Sequence, residues 1–279
     1  MANSIPTRRL KNGNVVPALG LGTWRLGENK SKRAQEIAAL QAGIDLGLTL
    51  LDTAEMYASG GAEEVVGEAV AGRREQVYIV SKAYPHHATV AGLRKACEAS
   101  LKRLRIDTID LYLLHWRGAI PLEETVQGME NLRSSGKIKA FGVSNFDRAD
   151  IEELSRVPDG DLTVANQILY NLSRRGPEYD LISECSRHQI AIMAYSPLEQ
   201  GRLRSQLAKF CSKRGISWVQ IALAWLLARP DVLVIPKAAS SEHVREIRSA
   251  AEAQLSPDDL AELNRLFPAP RKPSTLEML

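Results

Sequence analysis

The sequence of 279 residues has only three cysteines, no apolar run of membrane-spanning length, no block of lysine and arginine, and no G-x-G-x-x-G turn. Each absence removes a class of protein. Cys97, Cys185 and Cys211 are odd in number and lack C-x-x-C spacing, so neither a disulfide framework nor a cysteine zinc site is signalled, and reduced core thiols are expected. The five histidines show no H-E-x-x-H or other ligand spacing, with His86-His87 adjacent and His188 alone, so no metal is expected. Thirty-six basic and 33 acidic residues are spread along the chain and leave a net charge of +3, which argues against nucleic acid as a partner. Behind Met1–Leu10 stands no apolar stretch, and no later run would anchor the chain in a membrane, so a cytoplasmic protein is expected. The missing glycine-rich turn removes the fingerprint of an open dinucleotide-binding sheet.

What is present reads as one large α/β unit. An apolar fraction of 44% and a charged fraction of 25% are ordinary for a globular chain with a sizeable core. Eight short apolar runs recur at about βα-unit spacing: Ala18–Gly22, Leu48–Asp52, Val77–Ser81, Ile109–His115, Ile138–Val143, Leu162–Gln167, Ile190–Tyr195 and Val232–Pro236. Most are continuous rather than alternating, as expected of parallel strands buried on both faces. Helical stripes lie between them: Ile37, Leu40 and Ile44 closed by Gly47; Leu93, Cys97, Leu101 and Leu104; then Pro121 in a first turn, Leu122, Val126 and Met129, with Gly136 past the end. Eight such units predict a single (β/α)8 TIM-barrel domain over residues 1–279. Asn12-Gly13-Asn14 predicts an N-terminal hairpin plugging the barrel bottom, and Ser256-Pro257-Asp258-Asp259 starts an extra C-terminal helix. Pro268–Leu279, with three prolines, reads as a tail.

In a TIM barrel the reacting groups stand at the C-terminal ends of the strands. Asp52 ends the second run, Tyr57 follows in its loop, Lys82 lies just after the third run, and His115 ends the fourth. Any one of them could be a cap, a core aromatic, a solvated lysine or a satisfied histidine. Four on consecutive strands point instead to a catalytic constellation. Trp24, Tyr84 and Trp116 each lie just past a strand end and would line the substrate mouth together with Tyr57 and His115, although ordinary core packing competes for all three.

These residues fall within a longer pattern. Leu21-Gly22-Thr23-Trp24, Asp52-Thr53-Ala54-x-x-Tyr57, Ser81-Lys82, Leu113-Leu114-His115-Trp116, Gly142-Val143-Ser144-Asn145-Phe146, Asn166-Gln167, Tyr195-Ser196-Pro197-Leu198 and Ile235-Pro236-Lys237 occur in the order of the aldo-keto reductase family. The resemblance spans almost the whole chain, which is similar to bacterial methylglyoxal- and aldehyde-reductase-type members. It implies hydride transfer from NADP(H), with NAD(H) possible in its place, to a small aldehyde or ketone, and 2-oxoaldehydes are the first candidates. It also implies a monomer. Tyr57 would donate the proton, and Lys82 would lower its pKa by roughly one to three units. Asp52 would keep Lys82 charged, and His115 would orient the carbonyl oxygen.

For the cofactor, the resemblance implies that Gly22, Thr23, Trp24 and Asp52 stand beside it and that Ser144, Asn145 and Gln167 bind the carboxamide. Tyr195 would stack on the nicotinamide. Ser196, Pro197, Leu198, Gln200, Gly201 and Arg202 would follow the pyrophosphate, and Ile235, Pro236, Lys237, Ala238, Ser240, His243, Glu246 and Ile247 would meet the adenosine end. The chain departs from the family pattern at Ala238, where serine is common, at His243, where arginine is common, and in Glu246-Ile247, where Glu-Asn is common and isoleucine replaces the asparagine. Arg117 stands where proline usually follows the His-Trp pair. Two other readings compete: a nucleotide-binding regulatory barrel acting through a protein partner, and a lyase or aldolase using Lys82 as a Schiff base. Neither accounts for both the intact four residues and the nicotinamide-like strings.

Arginine is charged at every accessible pH and can fork onto a phosphate, whereas histidine is a switchable and weaker partner. His243→Arg is therefore expected to raise the affinity for NADPH relative to NADH at pH 8, as read by fluorescence titration of both cofactors.

Overall fold

The computed structural model describes residues 5–279. A small antiparallel hairpin, β1 (Thr7–Arg9) and β2 (Val15–Pro17), comes first. Eight parallel strands follow: β3 (Leu21–Gly22), β4 (Leu50–Asp52), β5 (Tyr78–Ala83), β6 (Ile109–Leu114), β7 (Ile138–Ser144), β8 (Ala165–Leu169), β9 (Ala191–Tyr195) and β10 (Val232–Val234). They are hydrogen-bonded in chain order. Parallel bridges Leu19–Val234 and Gly22–Lys237 join the last strand to the first and close the barrel. The closure is tight, since a Cβ at Gly22 would stand 3.0 Å from the Ile235 carbonyl oxygen.

Strand alternation divides the apolar residues into two cores. Leu50, Val80, Leu111, Leu113, Met193 and Leu233 fill the barrel, and Leu10 and Val16 of the hairpin complete that cluster from below. Ile79, Ala83, Tyr112 and Phe141 point outward into the helix layer. That layer comprises α1 (Arg33–Asp45), α2 (Gly61–Ala69), α3 (Val90–Leu104), α4 (Leu122–Ser134), α5 (Arg148–Leu154), α6 (Leu181–Arg187), α7 (Leu203–Arg214), α8 (Trp218–Leu227), α9 (Ser241–Ser249) and α10 (Pro257–Leu266). The expected stripe Leu93, Cys97, Leu101 and Leu104 is buried along α3, whose N-cap Thr89 accepts a hydrogen bond from Gly92 N–H. Ser256 caps α10 with a reciprocal bond to Asp259.

Several boundaries differ from the sequence reading. The sixth run becomes a strand only at Ala165, because Gly160–Leu162 forms a 3-10 turn whose N–H groups bond locally, Gly160 to Val157 and Leu162 to Asp159. Of the first run only Leu21–Gly22 is regular strand. Pro121 has ψ 141° and sits at the N-cap of α4 rather than in its first turn. Cys97 and Cys185 are buried thiols, but Cys211 is only half-buried. The terminal segment is irregular as expected, yet it is docked: Leu276 packs against the core, Glu277 pairs with Arg174, and Leu279 N–H donates to the Tyr195 hydroxyl at 3.4 Å. Its prolines bar regular structure but do not prevent apolar anchoring. Among the described residues no helix is long and apolar enough to cross a membrane.

Helices α2 and α3 pack tightly at Gly67, where a Cβ would lie 2.5 Å from the Leu104 carbonyl oxygen and 2.9 Å from that of Arg103. Gly67→Ala should therefore force the two helices apart and destabilise the fold by about 1–3 kcal/mol. Urea unfolding would show this as a lower midpoint.

Candidate active site

Lys82 lies on β5 facing the barrel axis, with no solvent exposure. Its three ammonium protons have three acceptors: Asp52 Oδ2 at 2.8 Å, the Thr53 carbonyl at 2.8 Å and the Tyr57 hydroxyl at 3.3 Å. Burial alone would lower the pKa of this lysine, but Asp52 and then Tyr57 more than offset it, and its pKa stays above the ordinary lysine value. Asp52 ends β4, and its other oxygen, Oδ1, accepts 2.7 Å from Gln167 Nε2. The charged pair is thereby satisfied on both sides, the condition under which ions tolerate a barrel interior.

Tyr57 stands in the loop after β4 beside this pair. Burial raises its pKa more than Lys82 lowers it, and Asp52 adds to the rise. The expected net depression of the phenol is therefore not found. The ammonium is already balanced by a carboxylate at 2.8 Å, so the tyrosine faces an ion pair rather than a bare cation. The phenol stays firmly protonated, as a proton donor must until charge develops on the substrate oxygen.

His115 follows β6, with its ring 5.8 Å from that of Tyr57 and nearly perpendicular to it. Burial, assisted by Lys82, lowers its pKa to about 3, so the imidazole is neutral at physiological pH. Its Nδ1 is enclosed without a hydrogen-bond partner. An orphaned buried N–H is the costlier deficit, so Nδ1 is best read as the bare acceptor and Nε2 as the N–H. The histidine is then a neutral donor and not a cation.

The aromatic residues expected at the mouth are partly gathered. Tyr57, His115, Trp116 and Tyr84 form a chain of ring contacts, with Trp116 5.0 Å from His115 and 5.8 Å from Tyr84. Trp24 stands apart, 42% exposed, with the Arg25 guanidinium 4.5 Å above its ring. Two links were not foreseen from the sequence. Glu55 Oε1 accepts from Tyr84 N–H at 2.7 Å and lies 2.9 Å from His87 Nδ1, pinning the loop after β5 to the loop after β4. The Gln167–Asp52 bond is the second. The proximity of Glu55 to Tyr57 in the chain was the only available signal, whereas residues 52 and 167 meet through barrel closure alone.

The residues assigned to the cofactor by resemblance occupy one rim. Thr23 is buried, with both N–H and Oγ1 donating to the Asp52 carbonyl. Asn145 Nδ2 donates to the His115 carbonyl and to Ser144 Oγ, its Oδ1 accepts from the Tyr195 hydroxyl, and Ser144 Oγ donates to the Gln167 carbonyl. Gln167 uses its amide nitrogen on Asp52, and its Oε1 has no partner among the described residues. Beyond β9, Ser196, Glu199, Gln200 and Gly201 all have positive φ, and the buried Glu199 carboxylate holds Arg174, Asn171 and Arg202. Pro197 is buried and Leu198 half-buried, while Gln200, Gly201 and Arg202 are exposed. At the far end Lys237 and His243 are exposed and Ser240 caps α9. Glu246 is half-buried. The side chains of Ala238, Ile247 and Ile235 are buried in the core, and Pro236 is buried as well.

A closed parallel barrel with a buried Asp-Lys pair, a protonated tyrosine and a neutral histidine at its C-terminal rim defines a carbonyl oxidoreductase of the barrel type. The chain belongs to the aldo/keto reductase family, whose model matches residues 18–267. It is 51% identical over 276 residues to methylglyoxal reductase YeaE of Escherichia coli, covering 96% of this chain and 97% of that protein. It is 32% identical to the glyoxal reductase of Bacillus subtilis, covering 93% and 92%. Among solved structures, an aldo/keto reductase from Klebsiella pneumoniae in complex with NADP and acetate is 52% identical, superposes with a TM-score of 0.95, and is matched over 98% of this chain and 99% of that one.

The depressed His115 pKa has a consequence for stability. Unfolded, histidine takes up its proton near pH 6.5, but folded His115 does so only near pH 3. Between these values the unfolded state binds more protons, so the native state loses stability as pH falls from 6.5 toward 3. Denaturant titrations at pH 7 and pH 4 should show His115→Gln losing less stability than wild type over this interval.

Proposed function

We propose that this enzyme reduces small aldehydes and ketones, 2-oxoaldehydes first among them, with NADPH as hydride donor. The observation that carries the reading is Lys82 held by Asp52 within 3.3 Å of a protonated Tyr57, beside a neutral His115. The names of the relatives support the substrate class, since one is a methylglyoxal reductase and another a glyoxal reductase. The Klebsiella pneumoniae structures in complex with NADP and with NADPH support the cofactor.

The donor set fits a nicotinamide. Gln167 Oε1 offers an unused acceptor for a carboxamide N–H, and the contacting rings of Tyr57, His115, Trp116 and Tyr84 offer aromatic surface to a planar ligand. When bound, the reduced nicotinamide supplies the hydride. The protein groups then act on the carbonyl oxygen. His115 Nε2–H donates a hydrogen bond that turns this oxygen toward Tyr57, and neutrality keeps that proton from being transferred. As negative charge builds on the oxygen, the Tyr57 hydroxyl gives up its proton, and the emerging phenolate is stabilised by Lys82, whose ammonium already contacts it. Asp52 keeps the lysine charged throughout. Lys82 is committed to three acceptors while protonated, which leaves no free amine for a Schiff base. Every group in this scheme comes from one chain, in keeping with a monomer.

Tyr57→Phe should lower kcat for methylglyoxal reduction by about 10²–10⁴ while NADPH binding stays near wild type, since the donor is removed and the cofactor contacts remain. Turnover followed by NADPH absorbance, with NADPH affinity from fluorescence titration, checks both parts. Undiminished kcat in the variant would refute the assignment of Tyr57.

A further inference from the structure

Three successive residues after Tyr57 take left-handed backbone conformations: Ala58 at φ 51°, Ser59 at φ 52° and Gly60 at φ 92°. Such a run is unfavourable for the two non-glycine residues and persists only where the surroundings impose it. The surroundings are specific. Arg103 of α3 lies directly against Gly60, where a Cβ would stand 2.5 Å from Arg103 Cδ and 2.6 Å from Nε. Arg103 Nε donates to Glu63 Oε2 at 2.5 Å, and Ser81 Oγ donates to Glu63 Oε1 at 2.5 Å. The Glu63 and Ser81 side chains have no solvent exposure. Arg103 also donates to Ser100 Oγ at 3.2 Å.

The connectivity gives this cluster its meaning. Ser81 precedes Lys82 on β5, and strand alternation sends the serine outward to the helix layer and the lysine inward to the site. Glu63 lies in the first turn of α2, which begins where the strained run after Tyr57 ends. A buried carboxylate thus ties the strand that carries the lysine to the loop that carries the tyrosine, from behind both. None of its members touches the reacting groups.

We propose that Glu63, Ser81 and Arg103 are positioning residues whose buried bracket fixes the contact between the Tyr57 hydroxyl and the Lys82 ammonium. The bracket holds the left-handed run against Arg103 and holds β5 against α2. With Ser81 detached, β5 and the tyrosine loop relax apart, Lys82 stabilises the phenolate less, and Tyr57 ionises at higher pH. The inference rests on the reading of Tyr57 as proton donor.

The test compares Ser81→Ala, which deletes the link to Glu63, with Ser81→Thr, which keeps a hydroxyl, and Glu63→Gln, which removes the charge facing Arg103. Each full-length variant is assayed with methylglyoxal and NADPH, with kcat and KM measured across pH and NADPH affinity measured by fluorescence. Thermal unfolding confirms that each is folded at the assay temperature. Ser81→Ala and Glu63→Gln should lose about tenfold in kcat, with KM and NADPH affinity near wild type, because geometry and not binding is altered. The alkaline limb of kcat, where the donor loses its proton, should move to higher pH in both, and Ser81→Thr should restore it. Wild-type kcat and an unmoved alkaline limb in folded Ser81→Ala would overturn the inference. So would equal losses in the Ala and Thr variants, which would mark a packing effect. Tyr57→Phe run alongside separates the two claims: an active Tyr57→Phe removes the donor reading and the inference with it, whereas an inactive Tyr57→Phe beside a fully active Ser81→Ala removes the inference alone.

Discussion

The buried ion pair between Lys82 and Asp52 is the interaction on which the remainder of the site depends. A lysine with no solvent exposure inside a barrel is tolerable only if its charge is balanced and each N–H is used, and here a carboxylate, a backbone carbonyl and a phenol meet both demands. Removing any one partner would leave an uncompensated donor in a low-dielectric interior. The pair also sets the character of its neighbours. Burial keeps the proton on Tyr57 against the pull of Lys82, with Asp52 adding to that effect, and because the ammonium remains nearby, a proton on His115 is disfavoured beyond the effect of burial. A neutral donor, a neutral hydrogen-bonding imidazole and a permanent cation therefore coexist within a few ångströms without contradiction.

The barrel makes this arrangement by separating two faces of each strand. On β5 the inward residue Lys82 serves the site while the outward residue Ser81 meets Glu63 and Arg103 in the helix layer. Rigidity behind the site and chemistry in front of it are thus adjacent in sequence and opposite in direction. Closure adds a second tie, since Gln167 of β8 reaches Asp52 of β4 across the interior. Such cross-barrel bonds fix side chains more firmly than loop packing could, which suits groups whose separation governs proton transfer.

Much of this was legible in the chain itself. Eight apolar runs at βα spacing lead to a closed barrel because continuous apolar strands need cover on both faces, and polar residues at their C-terminal ends mark the working rim. Asp52, Lys82 and His115 could be placed there from strand periodicity alone, and the family strings supplied their partners. Less legible were features that depend on which surfaces meet. Glu63 looks like any acid in a first helical turn, and Ala238 and Ile247 look like members of a nucleotide string although their side chains are buried in the core. The proline-rich end looked like a free tail until Leu276 and Glu277 found their anchors.

The sequence by itself determined the order of elements, the rim on which chemistry stands and the residue types available to it, because periodicity and strand-end position are local properties. Only the tertiary structure decided the charge states, since the protonation of Tyr57 and the neutrality of His115 follow from burial and from distances to a balanced lysine. It also decided that the segment after Tyr57 is held in a left-handed run against Arg103. The intrinsic preference of Ala58 and Ser59 opposes that conformation, and Arg103, far away in the chain, packs against it at Gly60.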